Sequence, residues 1–211
     1  MKTEELIQML ARQAGPAPQA LAARRVGAAL GGGGLLALAA SLGAIGPVAG
    51  SLFAEPAMWF KLAYGLALAA AAAIWVARLG RPVAPTHAPQ RATAAVALAV
   101  LALGAASLLA VPAGARLDAL FGHSWLQCPL AVLALSLPTL ATGLWALRGL
   151  APTQPRRAGF AAGVLAGAVG AFAYAFACDE LAPSFVAVWY TAGIALAGAL
   201  GAWLGPRWLR W

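Results

Sequence analysis

Apolar residues fall along the chain in long unbroken blocks, and proline, glycine and charge gather in the gaps between them. The blocks lie at about 26–48, 57–77, 92–111, 128–147, 159–177 and 185–204. Each approaches the ~20 residues that cross ~30 Å of hydrocarbon as a helix. Backbone in lipid has to satisfy its own hydrogen bonds, so uninterrupted runs of this length predict helices. Gly46-Pro47, Glu55-Pro56, Arg81-Pro82 with Pro85 and Pro89, Val111-Pro112, Pro152 with Pro155, and Pro183 supply the turns. The predicted fold is all-α: a polytopic membrane protein, a bundle of six transmembrane helices with short loops over 26–211, preceded by a short cytoplasmic segment at 1–25 that carries an amphipathic helix.

Composition excludes the soluble alternative. Of 211 residues, 9% are charged and 63% are hydrophobic, against roughly 25% charged in an average soluble domain. The few charges orient the chain. Six spans put both termini on one side, and twelve of the fourteen Lys and Arg fall in the N-terminal tail, the second and fourth loops and the C-terminus, leaving Lys61 and Arg116 opposite. Glu55, Asp118, Asp179 and Glu180 lie on that opposite side, Glu4 and Glu5 with the termini. Basic residues near span ends stay in the cytoplasm, so both termini are expected there. Tryptophan prefers the headgroup layer. Trp59, Trp125 and Trp189 fall at outer span ends, and Trp75, Trp145, Trp203, Trp208 and Trp211 at inner ones. Short basic clusters flanking spans suit anionic lipid, so no direct contact with nucleic acid is expected. The first apolar run is too long, and too far from Met1, for a cleaved signal peptide.

Gly159, Gly163 and Gly167 share one face of the fifth span, and Gly201 and Gly205 repeat the spacing in the sixth. Close packing within the chain is expected from them, with dimerisation as the other use. Pro138 is expected to kink the fourth span, with Ser136, Thr139 and Thr142 able to bond freed carbonyls. Transporters and proton relays keep ionisable residues near the bilayer centre. The deepest here, Lys61, follows Trp59 by two residues and is expected to snorkel to the outer surface. No phosphate-loop, zinc-protease or nucleophile-elbow motif occurs, and His87 and His123 fall on opposite sides, so no enzyme is expected.

Two features remain as candidate sites. Cys128 opens the fourth span and Cys178 ends the fifth, so both are expected at the outer face, where the periplasm lets disulfides persist. Small buried hydrophobes, a disulfide or thiol switch, and a metal site all fit. Two thiolates suit a soft ion such as copper, with His123, Asp179, Glu180 and Met58 nearby. The other feature is the N-terminal segment. Thr3 can cap a helix with Glu4 and Glu5 in its first turn. Leu6, Met9, Leu10 and Gln13 share a face, with Ile7 beside them, until Gly15-Pro16 ends it. A helix of about twelve residues is marginal alone in water, so it is expected to dock, on a protein partner or on the bilayer surface.

The opening Met1-Lys2-Thr3-Glu4-Glu5-Leu6-Ile7, the Cys128-Pro129 pair, and the stretch from Ala173-Tyr174 through Cys178 and Pro183 to Phe185 and Trp189-Tyr190 resemble the NrsF family of bacterial inner-membrane anti-sigma factors. The resemblance runs over most of the chain. It implies that the cytoplasmic segment binds an extracytoplasmic-function sigma factor of the sigma-F type through Leu6, Ile7 and Leu10 and keeps it from RNA polymerase. It further implies that Cys128 and Cys178 sense a periplasmic metal or redox stress. Ala177 is a departure, standing where a His before the second cysteine would favour a metal site. The alternative from another class is a membrane redox or metal-handling protein that uses the same cysteine pair and needs neither tail nor partner.

Overall fold

The computed structural model describes residues 3–13, 21–81, 84–150 and 152–210; Gly15-Pro16 and Trp211 lie outside them. Every regular element among the described residues is helical. In chain order these are α1 (Thr3–Gln13), α2 (Leu21–Ile45), α3 (Pro56–Leu79), α4 (His87–Ala110), the short α5 (Arg116–Phe121), α6 (Gln127–Arg148), α7 (Pro155–Ala175) and α8 (Pro183–Trp208). All except α1 and α5 are long and apolar enough to cross a membrane. The chain is thus an all-α bundle of six spans, with the terminal segments at one end (the terminal end) and Cys128 and Cys178 at the other (the distal end).

Prolines explain where helices begin. Pro56, Pro155 and Pro183 occupy the first helical position, where a missing N–H has no partner to lose. Pro89 lies inside the first turn of α4 rather than in the preceding turn, tolerated for the same reason. The first span starts earlier than its apolar block, and α2 takes Arg24 and Arg25 into its opening turns.

α7 is the axis of the bundle: 83% of its apolar stretch is buried within the chain, against 22% for α2 and 17% for α4. Its Ala and Gly residues make that possible, because lipid is as apolar as a leucine and helices in it associate through close packing. A methyl on Gly159 would strike the Gly201 carbonyl, and one on Gly163 the Ala197 carbonyl. On Gly167 it would come to 2.8 Å from Ile194 Cα. The glycine seam is therefore used within the chain, between α7 and α8. On another face, a methyl on Gly170 would lie 2.7 Å from the Val132 carbonyl of α6. Ser41 Oγ of α2 donates to Ala173 O of α7 at 2.8 Å, and Thr142 Oγ1 of α6 to Ala29 O of α2 at 3.1 Å.

Two expectations change. Pro138 lies within α6 and frees the Ala134 carbonyl, yet none of the three hydroxyls bonds that atom. Ser136 donates to Leu133 O, Thr142 to Pro138 O and Thr139 O, and Thr139 Oγ1 is buried without a partner. Trp75 is buried, edge-on to Phe160 with centroids 6.0 Å apart, rather than anchored in headgroups. Trp59, Trp145, Trp203 and Trp208 are all more than half exposed on the lipid-facing surface.

Candidate functional site

The distal end gathers polar groups from α3, α6, α7, α8 and the segment after α7. α7 stops at Ala175, and the chain turns so that Cys178 enters the bundle, 3% exposed. Cys128, in the first turn of α6, is fully buried. Lys61 comes from the second turn of α3 and is fully buried as well; its Nζ donates to the Cys178 carbonyl at 2.6 Å. Cys178, Asp179, Cys128 and Glu180 all lie within electrostatic reach of that ammonium. A buried cation costs several kcal/mol unless neighbouring groups replace its water. Here the Cys178 carbonyl replaces part of that water, with the Asp179 and Glu180 carboxylates within electrostatic reach.

Lys61 does not snorkel, and the helix geometry says why. Residues two apart are rotated by about 200° on a helix, so Trp59, 60% exposed, sends Lys61 to the opposite face. That face carries Met58, Leu62, Gly65 and Leu68 into the bundle. The azimuth was legible in the sequence even though depth alone pointed outward.

Tyrosines complete the cluster. The Tyr174 and Tyr190 hydroxyls lie against the Cys178 side chain, their rings 5.9 Å apart. Tyr190 Oη is buried and closes no hydrogen bond of good geometry. Tyr190 belongs to Val186–Tyr190, where α8 widens into a π-turn, a distortion frequent at functional sites.

Above the cluster, the loop after α5 is clipped to the segment after α7. His123 N donates to Glu180 Oε1 at 2.7 Å, its Nδ1 lies 2.9 Å from the same oxygen, and its Nε2 lies 3.3 Å from Asp179 Oδ1. Gly122 makes this contact possible. Its φ of +53° is left-handed, and a methyl there would collide with the Glu180 carboxylate. Phe121, Trp125 and Trp189 stack beside the clip with centroids 5.4 to 5.9 Å apart, and Trp189 Nε1 donates to Leu120 O at 2.8 Å.

The two predicted sensor residues, Cys128 and Cys178, are thus brought into one buried cluster, as free thiols. His123, Asp179 and Glu180 also meet, but in the clip rather than around the sulfurs. Among the described residues, no group of three or more His, Cys, Asp and Glu is arranged to hold a metal ion. Two cysteine sulfurs are the ligand type that a soft cation such as copper(I) takes. Sequence reasoning gave Lys61, Gly122, Tyr174 and Tyr190 no part in the site. At the terminal end, α1 forms with Glu4 and Glu5 in its first turn. Ile7 and Met9 are 55% and 51% exposed. Leu6 and Leu10 belong to the same helix, and their side chains lie outside those described.

The family described as "Negative regulator of sigma F" matches residues 10–211. A "Probable anti-sigma-F factor NrsF" of Azospira oryzae is 39% identical over the whole of both chains. An "Anti-sigma-F factor NrsF" of Caulobacter vibrioides is 38% identical, again over the whole of both. No solved structure matches.

Proposed function

We propose that this chain, which belongs to the NrsF family of negative regulators of sigma F, is an anti-sigma factor of the bacterial inner membrane that senses stress at its distal end. Through Leu6, Ile7 and Leu10 of α1 it holds an extracytoplasmic-function sigma factor of the sigma-F type, with both termini cytoplasmic. It releases that factor when an oxidant or a soft metal acts on Cys128 and Cys178 in the periplasm. The observation that carries the reading is the convergence of the two cysteines, fifty positions apart, in one buried cluster at the end of the bundle opposite α1.

Joining the sulfurs removes two electrons and two protons from the thiols, the electrons passing to a two-electron oxidant. The new bond would tie α6 to the segment that follows α7. A stimulus shifts a conformational equilibrium only by its differential affinity for the two states. A bond across these elements favours whichever arrangement brings the sulfurs together. α7 is packed along its length, so a displacement at its distal end is carried by a rigid, close-fitted helix to Arg156 and Arg157 at its other end. On this reading the apolar residues of α1 supply the docking energy, and a sigma factor covering them gives burial to a helix too short to be stable alone.

Affinity purification of the full chain in mild detergent tests this, with mass spectrometry of co-purifying soluble proteins. The native chain is expected to recover one sigma factor, and a Leu6→Asp/Leu10→Asp variant none. Recovery of no sigma factor from unstressed cells would return the cysteines to redox or metal handling without a partner.

A further inference from the structure

A groove runs along the flank of the bundle between α3, α4, α7 and α8, outside the cysteine cluster. Its deep part is a cavity of about 260 Å³ that begins at Tyr64, passes Leu68, Ala97 and Ile194, and reaches Trp75 and Phe160. Those two rings and Gln90 also line a second cavity of about 320 Å³, whose remaining wall includes Arg156 and Arg157. The two cavities therefore follow one another from mid-span to the terminal end.

The deep part presents hydrocarbon. Tyr64 Oη and Thr191 Oγ1 lie 2.8 Å apart, Thr93 Oγ1 is turned back to Pro89 O of its own helix at 2.9 Å, and Gln90 stands at the end shared with the second cavity. Ala94 and Ala97 of α4 are too small to fill it. α4 is the least buried of the six spans, so the slot opens sideways toward lipid. At the mouth both arginines are exposed. Arg157 donates to Gln154 Oε1 at 3.0 Å. Neither arginine has a carboxylate partner among the described residues.

An apolar slot inside the membrane that ends in two cations at headgroup depth is complementary to an amphiphile with a hydrocarbon tail and an anionic head. We propose that this groove is a binding site for an anionic glycerophospholipid of the leaflet at the terminal end. One acyl chain lies against Ala97, Phe160 and Ile194, and the phosphate sits on Arg156 and Arg157. Guanidinium matches phosphate by charge and by paired N–H donors. The tail covers a face of α4 that the neighbouring helices leave open.

Native mass spectrometry of the full chain in detergent tests the site with dioleoyl phosphatidylglycerol, the phosphatidylcholine of the same chains, and glycerol phosphate as a headgroup without a tail. Phosphatidylglycerol is expected to be held in preference to phosphatidylcholine, and glycerol phosphate should not displace it at equal concentration. Arg156→Gln/Arg157→Gln should weaken phosphatidylglycerol binding by about 30-fold, about fivefold for each charge removed. Ala97→Trp, which fills the slot and leaves the arginines intact, should weaken binding of both lipids. Equal retention of the two lipids by the native chain would overturn the proposal. So would full displacement by glycerol phosphate, or either variant binding like the native chain.

Discussion

Side chains able to react are hidden at the distal end, and side chains able to bind are displayed at the terminal end. Lys61 and Cys128 are fully buried and Cys178 is 3% exposed, whereas Ile7 and Met9 of α1 are more than half exposed. The distal cluster is cross-braced by helices from every side, with a carbonyl, a clip and three aromatic rings closing it. The terminal helix is short, and its Ile7 and Met9 are exposed. The difference teaches what each end has to do. The distal site must open before anything reaches its sulfurs, so its threshold is set by the groups that hold it shut. Ile7 and Met9 on the terminal helix stand behind no such barrier.

Thiol labelling breaks this contrast most directly. Ile7→Cys, placed in a Cys128→Ser/Cys178→Ser background, should react with N-ethylmaleimide at least about a hundredfold faster than the native cysteines, which wait on local opening. Comparable rates would mean that the distal cluster is not closed. Next in size is Lys61→Met, which deletes the ammonium's bond to the Cys178 carbonyl. Hydrogen bonds from charged groups contribute about 1.5–3 kcal/mol, so labelling of Cys178 should accelerate by ten to a hundredfold, a range of about 1.4–2.8 kcal/mol. An unchanged rate would show that Lys61 does not brace the segment. Gly122→Ala forces a methyl toward Glu180 at a positive φ, a strain of about 1 kcal/mol, and should raise the rate about fivefold. The smallest effect belongs to His123→Ala. Its imidazole is largely exposed and its backbone bond to Glu180 survives the change; exposed pairs contribute about 0.2–1 kcal/mol, and a two- to threefold acceleration is expected by the same assay.

The six spans, the shared end of the two cysteines and the glycine seam were all legible in the sequence, because block length, topology and i, i+4 spacing are local properties. The polar interior of the distal end was not. Distance from Trp59 along the chain places Lys61 near the surface, but the rotation between the two residues decides its fate. The clip joins His123 to Glu180 across fifty-seven positions, which no local pattern encodes. The π-turn that carries Tyr190 inward is a tertiary adjustment, invisible in a run as ordinary as Val186-Ala187-Val188-Trp189-Tyr190. Burial of Trp75 followed from α4 and α7 enclosing it, whereas its position near a span end spoke for the headgroup layer.

Signalling requires a link between the two ends, and sigma-factor retention measures it. The full chain with its sigma factor bound, reconstituted in lipid nanodiscs, is exposed in parallel to a two-electron oxidant and to copper(I), and the sigma factor remaining on the discs is quantified. The native chain should release its partner under at least one treatment, and the Cys128→Ser/Cys178→Ser variant should retain it under both. Retention by the native chain under both treatments, or equal release from the serine variant, would contradict the claim that chemistry at the distal cysteines controls the terminal helix.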